Sequence, residues 1–420
     1  MTKCIFNASV VGPDQILPNH ALIIRQDRIL DILPMDSLNT KYGKERNDGN
    51  YGKDQAGKEM LYIDARGGYV LPGFIDIHSD YIEGILQPRP TSLMDFEMGL
   101  RETEKQLLGN GVTTIYHSLS MINVIGIKGG RSNFRTRENF ERLALLIRRF
   151  HRGHHLIRHR LHARYDIHNP ELYEFVEQIL NEGKIHELSF MDHTPGQGQY
   201  RDLEIYAQST AGWDVEGVHS LEEKIELLQN RPAVSHEKLK RLAALAREKG
   251  VPLASHDDDT PEKVFLVKKE YAAKISEFPV ELAAAKKARQ EGLLVVMGAP
   301  NVLLGGSHSG NLSALDAIRE GCADILCSDY YPAALLHSAF ALEKKGLLSL
   351  PEAVRMLTLN PARAVGIAAD YGSVEAGKKA DILIVRKLRG CPMIYSCFID
   401  GHRTLQYEYR AGQEDKYALP

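Results

Sequence analysis

Histidine and carboxylate side chains recur in this chain at the ends of short apolar runs, and residues 71–80 are the clearest case. They read Leu-Pro-Gly-Phe-Ile-Asp-Ile-His-Ser-Asp. Side chains alternate across a strand, so Asp76, His78 and Asp80 share one face. An imidazole and a carboxylate two residues apart at a strand end can chelate one divalent metal, which is the chemistry of a metal-dependent hydrolase. Taken alone, the string is equally compatible with a strand that exits into a solvated turn.

Repetition changes that balance. His162, Arg164 and Asp166 alternate along a second strand-like run. Further runs end in Met191-Asp192-His193-Thr194-Pro195-Gly196, in Ser255-His256-Asp257-Asp258, in Ser276-Glu277-Phe278-Pro279 and in Cys327-Ser328-Asp329-Tyr330. Imidazoles and carboxylates from separate strands converge only at the mouth of a barrel, where they form a nitrogen and oxygen donor set. The expected metal ligands are His78, Asp80, Asp166, His193, His256, Glu277 and Asp329. If two ions are bound, Asp166 or Glu277 is the carboxylate that bridges them. Asp329 has the further expected role of catalytic base toward the attacking water. Zinc suits these donors first, and manganese or iron accept the same set, as one ion or two.

Other residues of the same types have plainer readings. Six histidines lie between His151 and His168, and most read as solvated helix ends or loops. His117 reads as a satisfied core histidine. Asp192, Asp257 and Asp258 read as helix caps or as partners that orient histidines, and Asp76 as a brace for its strand.

The elements that must position these groups follow from periodicity. Eight strands are expected, over 69–78, 112–119, 160–167, 187–192, 251–256, 273–278, 293–297 and 324–328. Amphipathic helices fit between them, among them 95–108, 137–152, 170–182, 235–249, 280–290 and 314–320. Alternation of this kind over such a length specifies a (β/α)8 TIM-like barrel. Strand-and-turn character at both termini adds a small β-sandwich domain. The expected division is 1–66 with 372–420 for the β-domain and 67–371 for the barrel. Residues 40–60, polar and glycine-rich, read as a surface loop.

Composition agrees with a soluble enzyme: apolar residues make up 43% and charged residues 25%, ordinary for a globular protein. A net charge of −3 argues against bulk attraction to nucleic acid or to membranes. No apolar run approaches the length of a membrane span. Five scattered cysteines fit a reducing cytoplasm. A homodimer is the expected assembly, on the general frequency of dimers alone.

The motifs Pro72-Gly73-Phe74-Ile75-Asp76-x-His78, Leu359-Asn360-Pro361-Ala362 and Gly377-Lys378-Lys379-Ala380-Asp381, with a late strand ending in Asp329, resemble the amidohydrolase superfamily. Asp80 stands where that superfamily usually carries a second histidine. With Pro88-Arg89-Pro90, the His193 segment and Gly305-Gly306-Ser307-His308-Ser309-Gly310-Asn311, the chain is similar to one branch, the alpha-D-ribose 1-methylphosphonate 5-triphosphate diphosphatases of the carbon–phosphorus lyase pathway. The resemblance implies a small-molecule substrate, a phosphorylated sugar phosphonate whose 5-triphosphate is hydrolysed to the 5-phosphate and pyrophosphate. It implies Arg89, Arg164, His308 and Asn311 as substrate contacts. The alternative reading is a deaminase or deacylase that cleaves a C–N bond with the same metal chemistry. The chain departs from the branch at Asp166, where a longer glutamate is usual, at Thr103-Glu104, where His-Asp is usual, and at Leu304, where arginine is common.

Overall fold

A computed structural model of the chain describes residues 1–42, 51–53, 59–121, 127–128, 134–210, 214–215, 218, 220–307 and 310–409. The chain divides into two compact units, Met1–Gly73 with Ser373–Pro420, and Phe74–Gly372.

The larger unit is an eight-stranded parallel barrel. Its strands are β1 (Phe74–Ser79), β2 (Val112–Met121), β3 (Arg158–Asp166), β4 (Glu187–Met191), β5 (Leu253–His256), β6 (Ile275–Glu277), β7 (Leu294–Gly298) and β8 (Ile325–Cys327). Each pairs in parallel with its sequence neighbour from β1 to β8. Such pairing requires a crossover at every step, and helices supply most of them. Capping residues begin these helices where the sequence changes period. Asp95 accepts from the Met98 backbone N–H ahead of Phe96–Gly109, and Ser235 accepts from Lys238 ahead of His236–Glu248.

The barrel closes between β8 and β1 without a regular ladder. One parallel bridge joins Ser79 to Asp329. Around it, the Asp329 N–H donates to the His78 carbonyl at 3.1 Å, and the Asp80 N–H donates to the Asp329 carbonyl at 3.0 Å. Side chains complete the seam: Asp76 Oδ1 accepts from the Ser328 N–H at 3.1 Å, Ser79 Oγ donates to the Asp329 carbonyl at 3.0 Å, and Ser328 Oγ lies 2.8 Å from Ser79 Oγ. Asp76 therefore does brace its strand, and it braces it against β8.

The smaller unit is built on a nine-stranded sheet that draws on both chain ends. Thr2–Val11 is its branch point, pairing with Ile16–Arg25, Glu59–Asp64 and Tyr69–Pro72. Alternation sends Ile5, Leu22, Ile24, Ile382 and Phe398 into one buried cluster, and Cys4, Ala21 and Ile23 into another with Leu38 and Tyr42 of the helix Met35–Tyr42. The first barrel strand expected over 69–78 is in fact two strands. Tyr69–Pro72 pairs antiparallel with Ile382–Leu388 in the terminal sheet, and β1 starts only after Gly73. A continuous apolar string does not reveal that its two halves join different sheets.

The stretch 40–60 is not uniformly a loop. Residues 40–42 end the helix Met35–Tyr42, Tyr51–Lys53 pairs with Glu59–Asp64, and the rest lies outside the described residues. Among the described residues, no helix is long and apolar enough to cross a membrane.

The seam yields a first prediction. Asp76→Ala strands the buried Ser328 N–H at a cost of about 1–3 kcal/mol, whereas Asp76→Asn keeps an acceptor in place. Thermal unfolding should show Asp76→Ala several degrees below wild type and Asp76→Asn close to it. Equal melting temperatures for all three proteins would remove Asp76 from the closure.

Candidate metal and anion site

The C-terminal ends of the barrel strands surround a cavity of about 330 Å³. His78, Asp80, Asp166, His193, His256 and Asp329 all line it. Strand alternation delivers His78 from β1, Asp166 from β3 and His256 from β5, while His193 and Asp329 lie just past β4 and β8. Three residues just beyond strand ends, Asp257, Phe278 and Asp329, have left-handed backbone at φ of 53°, 51° and 56°. A non-glycine residue held there costs about 1–3 kcal/mol, a strain commonly found where a side chain must be aimed at a site.

The donors are tightly interlinked. His78 Nδ1 lies 2.7 Å from Glu277 Oε1, which leaves Nε2 as its remaining ring nitrogen. His193 Nδ1 lies 3.4 Å from Asp166 Oδ2, and His193 Nε2 lies 4.0 Å from Asp257 Oδ2. His256 Nδ1 lies 2.8 Å from the same Asp257 oxygen. The Arg164 guanidinium donates through Nη2 to His256 Nε2 at 3.1 Å.

Burial sets the protonation of these groups. It drives His78 and His256 well below the ordinary histidine range, with Arg164 adding to the effect, so both rings are neutral nitrogen donors. Asp329 is pushed up to about 7 by burial, reinforced by the neighbouring Asp80 charge. Burial also raises Asp257. Asp166 is buried as well, yet the hydrogen bond and charge of His193 hold its carboxyl below the usual range.

These residues fit a divalent cation. One donor atom each from His78, His256 and Glu277, and likewise from His193, His256 and Asp257, lie within 4.8 Å of one another. Glu277 Oε2 is buried without a hydrogen-bond partner. The His256 lone pair already faces a cationic group, the Arg164 guanidinium.

Placement distinguishes the remaining expected residues. Arg164 and Asn311 line the cavity. Glu277 is fully buried and does not line it, and its contact with His78 suits an orienting carboxylate. Arg89 is exposed, in a tight turn where its carbonyl accepts from the Ser92 N–H, and does not line the cavity. Pro88 and Pro90 flank it in the sequence. His308 lies outside the described residues.

Sequence reasoning missed several neighbours. Arg135 and Arg231 line the cavity. Glu83, fully buried, holds Arg135 through Nη2 at 2.9 Å and through Nε at 3.1 Å and 3.3 Å. The spacing of Glu83 from Asp80, one helical turn, was a usable signal, whereas nothing local marked Arg135 or Arg231. His117 is buried with its Nε2 3.0 Å from His159 Nδ1, as a satisfied core histidine should be. His159 Nε2 in turn meets Glu104 Oε2 at 3.2 Å, and Glu104 also accepts from the Leu156 N–H. The unusual Thr103-Glu104 pair thus contributes a structural carboxylate outside the cavity.

Comparison with known proteins places this architecture. A family model described as the amidohydrolase family matches residues 228–404. The chain is 32% identical over 355 residues to the alpha-D-ribose 1-methylphosphonate 5-triphosphate diphosphatase of Escherichia coli (strain K12), covering 84% of this chain and 89% of that protein. The chain belongs to the amidohydrolase family. Within it, the chain falls in the diphosphatase branch, and it is a hydrolytic enzyme. A shorter match, 40% identical over 83 residues, is to the N-substituted formamide deformylase of Arthrobacter pascens and covers 17% of this chain and 15% of that one. In fold, the chain is similar to the N-acetylglucosamine-6-phosphate deacetylase of Pasteurella multocida, with a TM-score of 0.60 and 12% identity over 96% of this chain and 99% of that one.

Metal content tests the cluster directly. Purified protein should hold stoichiometric divalent metal by mass spectrometry, and His256→Asn should lose most of it. Glu277→Gln should weaken affinity about 10- to 100-fold, the usual effect of losing an orienting partner. Metal retained at wild-type affinity in both variants would show that the cluster is not the binding site.

Proposed function

We propose that this enzyme hydrolyses a phosphoanhydride, with alpha-D-ribose 1-methylphosphonate 5-triphosphate as substrate and the 5-phosphate and pyrophosphate as products. His78, Asp80, Asp166, His193, His256 and Asp329 are the residues that would hold one or two divalent ions, zinc before manganese or iron, with Glu277 behind His78. When bound, the metal supplies Lewis acidity that polarises a phosphoryl oxygen and lowers the pKa of water.

The observation that carries this reading is Arg164. Its side chain faces the same cavity as the metal donors and is only 9% exposed. Among the described residues it has no carboxylate partner, and its Nε has no hydrogen-bond acceptor. A buried guanidinium of this kind needs an anion, and phosphate accepts its hydrogen bonds in bidentate geometry. A neutral amide gives no such compensation.

The other cavity residues then have simple tasks. Water attacks phosphorus, the α–β anhydride bond breaks, and pyrophosphate leaves with the bonding electrons. Asp329, aimed into the cavity by its left-handed backbone, accepts the proton of the attacking water. Arg164 offsets the charge that grows on the phosphoryl oxygens. Asn311 lines the same cavity and is placed to donate to them.

The reaction is checked by incubating metal-loaded enzyme with the triphosphate and with N-acyl or amino-heterocyclic substrates. Pyrophosphate release is expected. Release of ammonia or of an acid from an amide, with no pyrophosphate, would replace this reading with C–N bond hydrolysis. Arg164→Met should lower kcat/KM for the triphosphate about 10- to 100-fold, matching the loss of a charge-assisted contact of about 1.5–3 kcal/mol. An unchanged value would show that Arg164 does not meet the substrate.

A further inference from the structure

Three guanidiniums line the cavity, those of Arg135, Arg164 and Arg231, and they are not equivalent. Arg135 is already neutralised: Glu83 binds it through three contacts, and Asp80 Oδ2 lies 3.9 Å from its Nη2. Arg231 differs. It follows the helix Leu221–Gln229 in the connection between β4 and β5, half-buried, and its Nε donates to the Leu228 carbonyl at 3.3 Å. Among the described residues, no carboxylate lies within ion-pair distance of it.

We infer that Arg231 is a second anion contact of the cavity, binding a negative group of the substrate beyond the one that Arg164 meets. This rests on the phosphoanhydride reading and extends it to a residue that the motifs do not mark. The two guanidiniums address different parts of the cavity. Arg164 projects from β3 and touches His256, whereas Arg231 comes from the connection between β4 and β5 and touches the Leu228 carbonyl. Orthophosphate is a single anionic group, and the contact expected for it is Arg164. A chain of linked phosphoryl groups can engage both. The ligand class is therefore a linear polyphosphate, free or esterified, and Arg231 selects for its length.

Calorimetric titration of metal-loaded enzyme with inorganic tripolyphosphate and with orthophosphate tests this, in buffer containing excess Mg²⁺ so that the probes do not strip the site. Arg231→Gln should weaken tripolyphosphate by about tenfold or more while orthophosphate changes less than about twofold. Arg231→Lys should fall between that variant and wild type, because lysine keeps the charge without the bidentate fork. Metal content should match wild type in both variants, which separates anion binding from damage to the metal site. If Arg231→Gln folds poorly, the graded loss in Arg231→Lys carries the same comparison. Tripolyphosphate bound equally by wild type and variants would overturn the inference and leave the phosphoanhydride reading standing. Equal weakening of both probes would also overturn it, since length would not be what Arg231 senses. Wild-type enzyme that binds neither probe would defeat the phosphoanhydride reading first.

Discussion

Everything at the mouth of this barrel depends on how β8 meets β1. A barrel of parallel strands needs a closing contact, and here it is made by a handful of hydrogen bonds where a regular ladder would otherwise run. The seam fixes Asp329 against the backbone of His78 and Asp80. Residues some 250 positions apart in the chain are thereby held at one another's side with no freedom to drift. Fold closure and donor convergence are one event, because the same residues perform both.

That arrangement creates an electrostatic problem inside the barrel. Asp76, Asp257, Asp329 and Glu187 are buried, and burial pushes each carboxyl upward. The nearby imidazoles are driven neutral by the same loss of water. Arg164 is the cation that touches this cluster, and a divalent ion held by the same donors would add further positive charge. His162, in the same interior, also stands with two carboxylates: one donor atom each from His162, Glu187 and Glu277 lie within 4.8 Å of one another, while its ring nitrogens meet the Ile77 carbonyl and Ser189 Oγ.

The fold is shared with an N-acetylglucosamine-6-phosphate deacetylase, and a short segment is similar to a formamide deformylase. Imidazole and carboxylate donors at the ends of β1 and β8 do not decide between phosphorus and carbonyl carbon. On the phosphoanhydride reading, the wall around them does. Guanidiniums matched to internal carboxylates, such as Arg135 with Glu83, stabilise the protein itself. Guanidiniums without such partners, Arg164 above all, face the cavity at the strand ends. The distinction rests on which cations are already paired, and counting basic residues would not reveal it.

Much of this was legible in the amino-acid sequence. The period-two and helical patterns placed seven of the eight barrel strands to within about two residues, and began the first five residues early, because amphipathic packing on a parallel sheet leaves a strong local signature. That His78 and Asp80 would line the barrel mouth was legible for the same reason, since alternation ties them to one face. The sequence could not say that residues 69–78 serve two sheets, since pairing partners lie far away in the chain. Nor could it separate the exposed Arg89 from the cavity-lining Arg164, or predict that Glu277 would sit behind His78. Those outcomes depend on depth, facing and the neutralisation of charge by distant residues. Such properties belong to the packed chain, and only tertiary structure determines them.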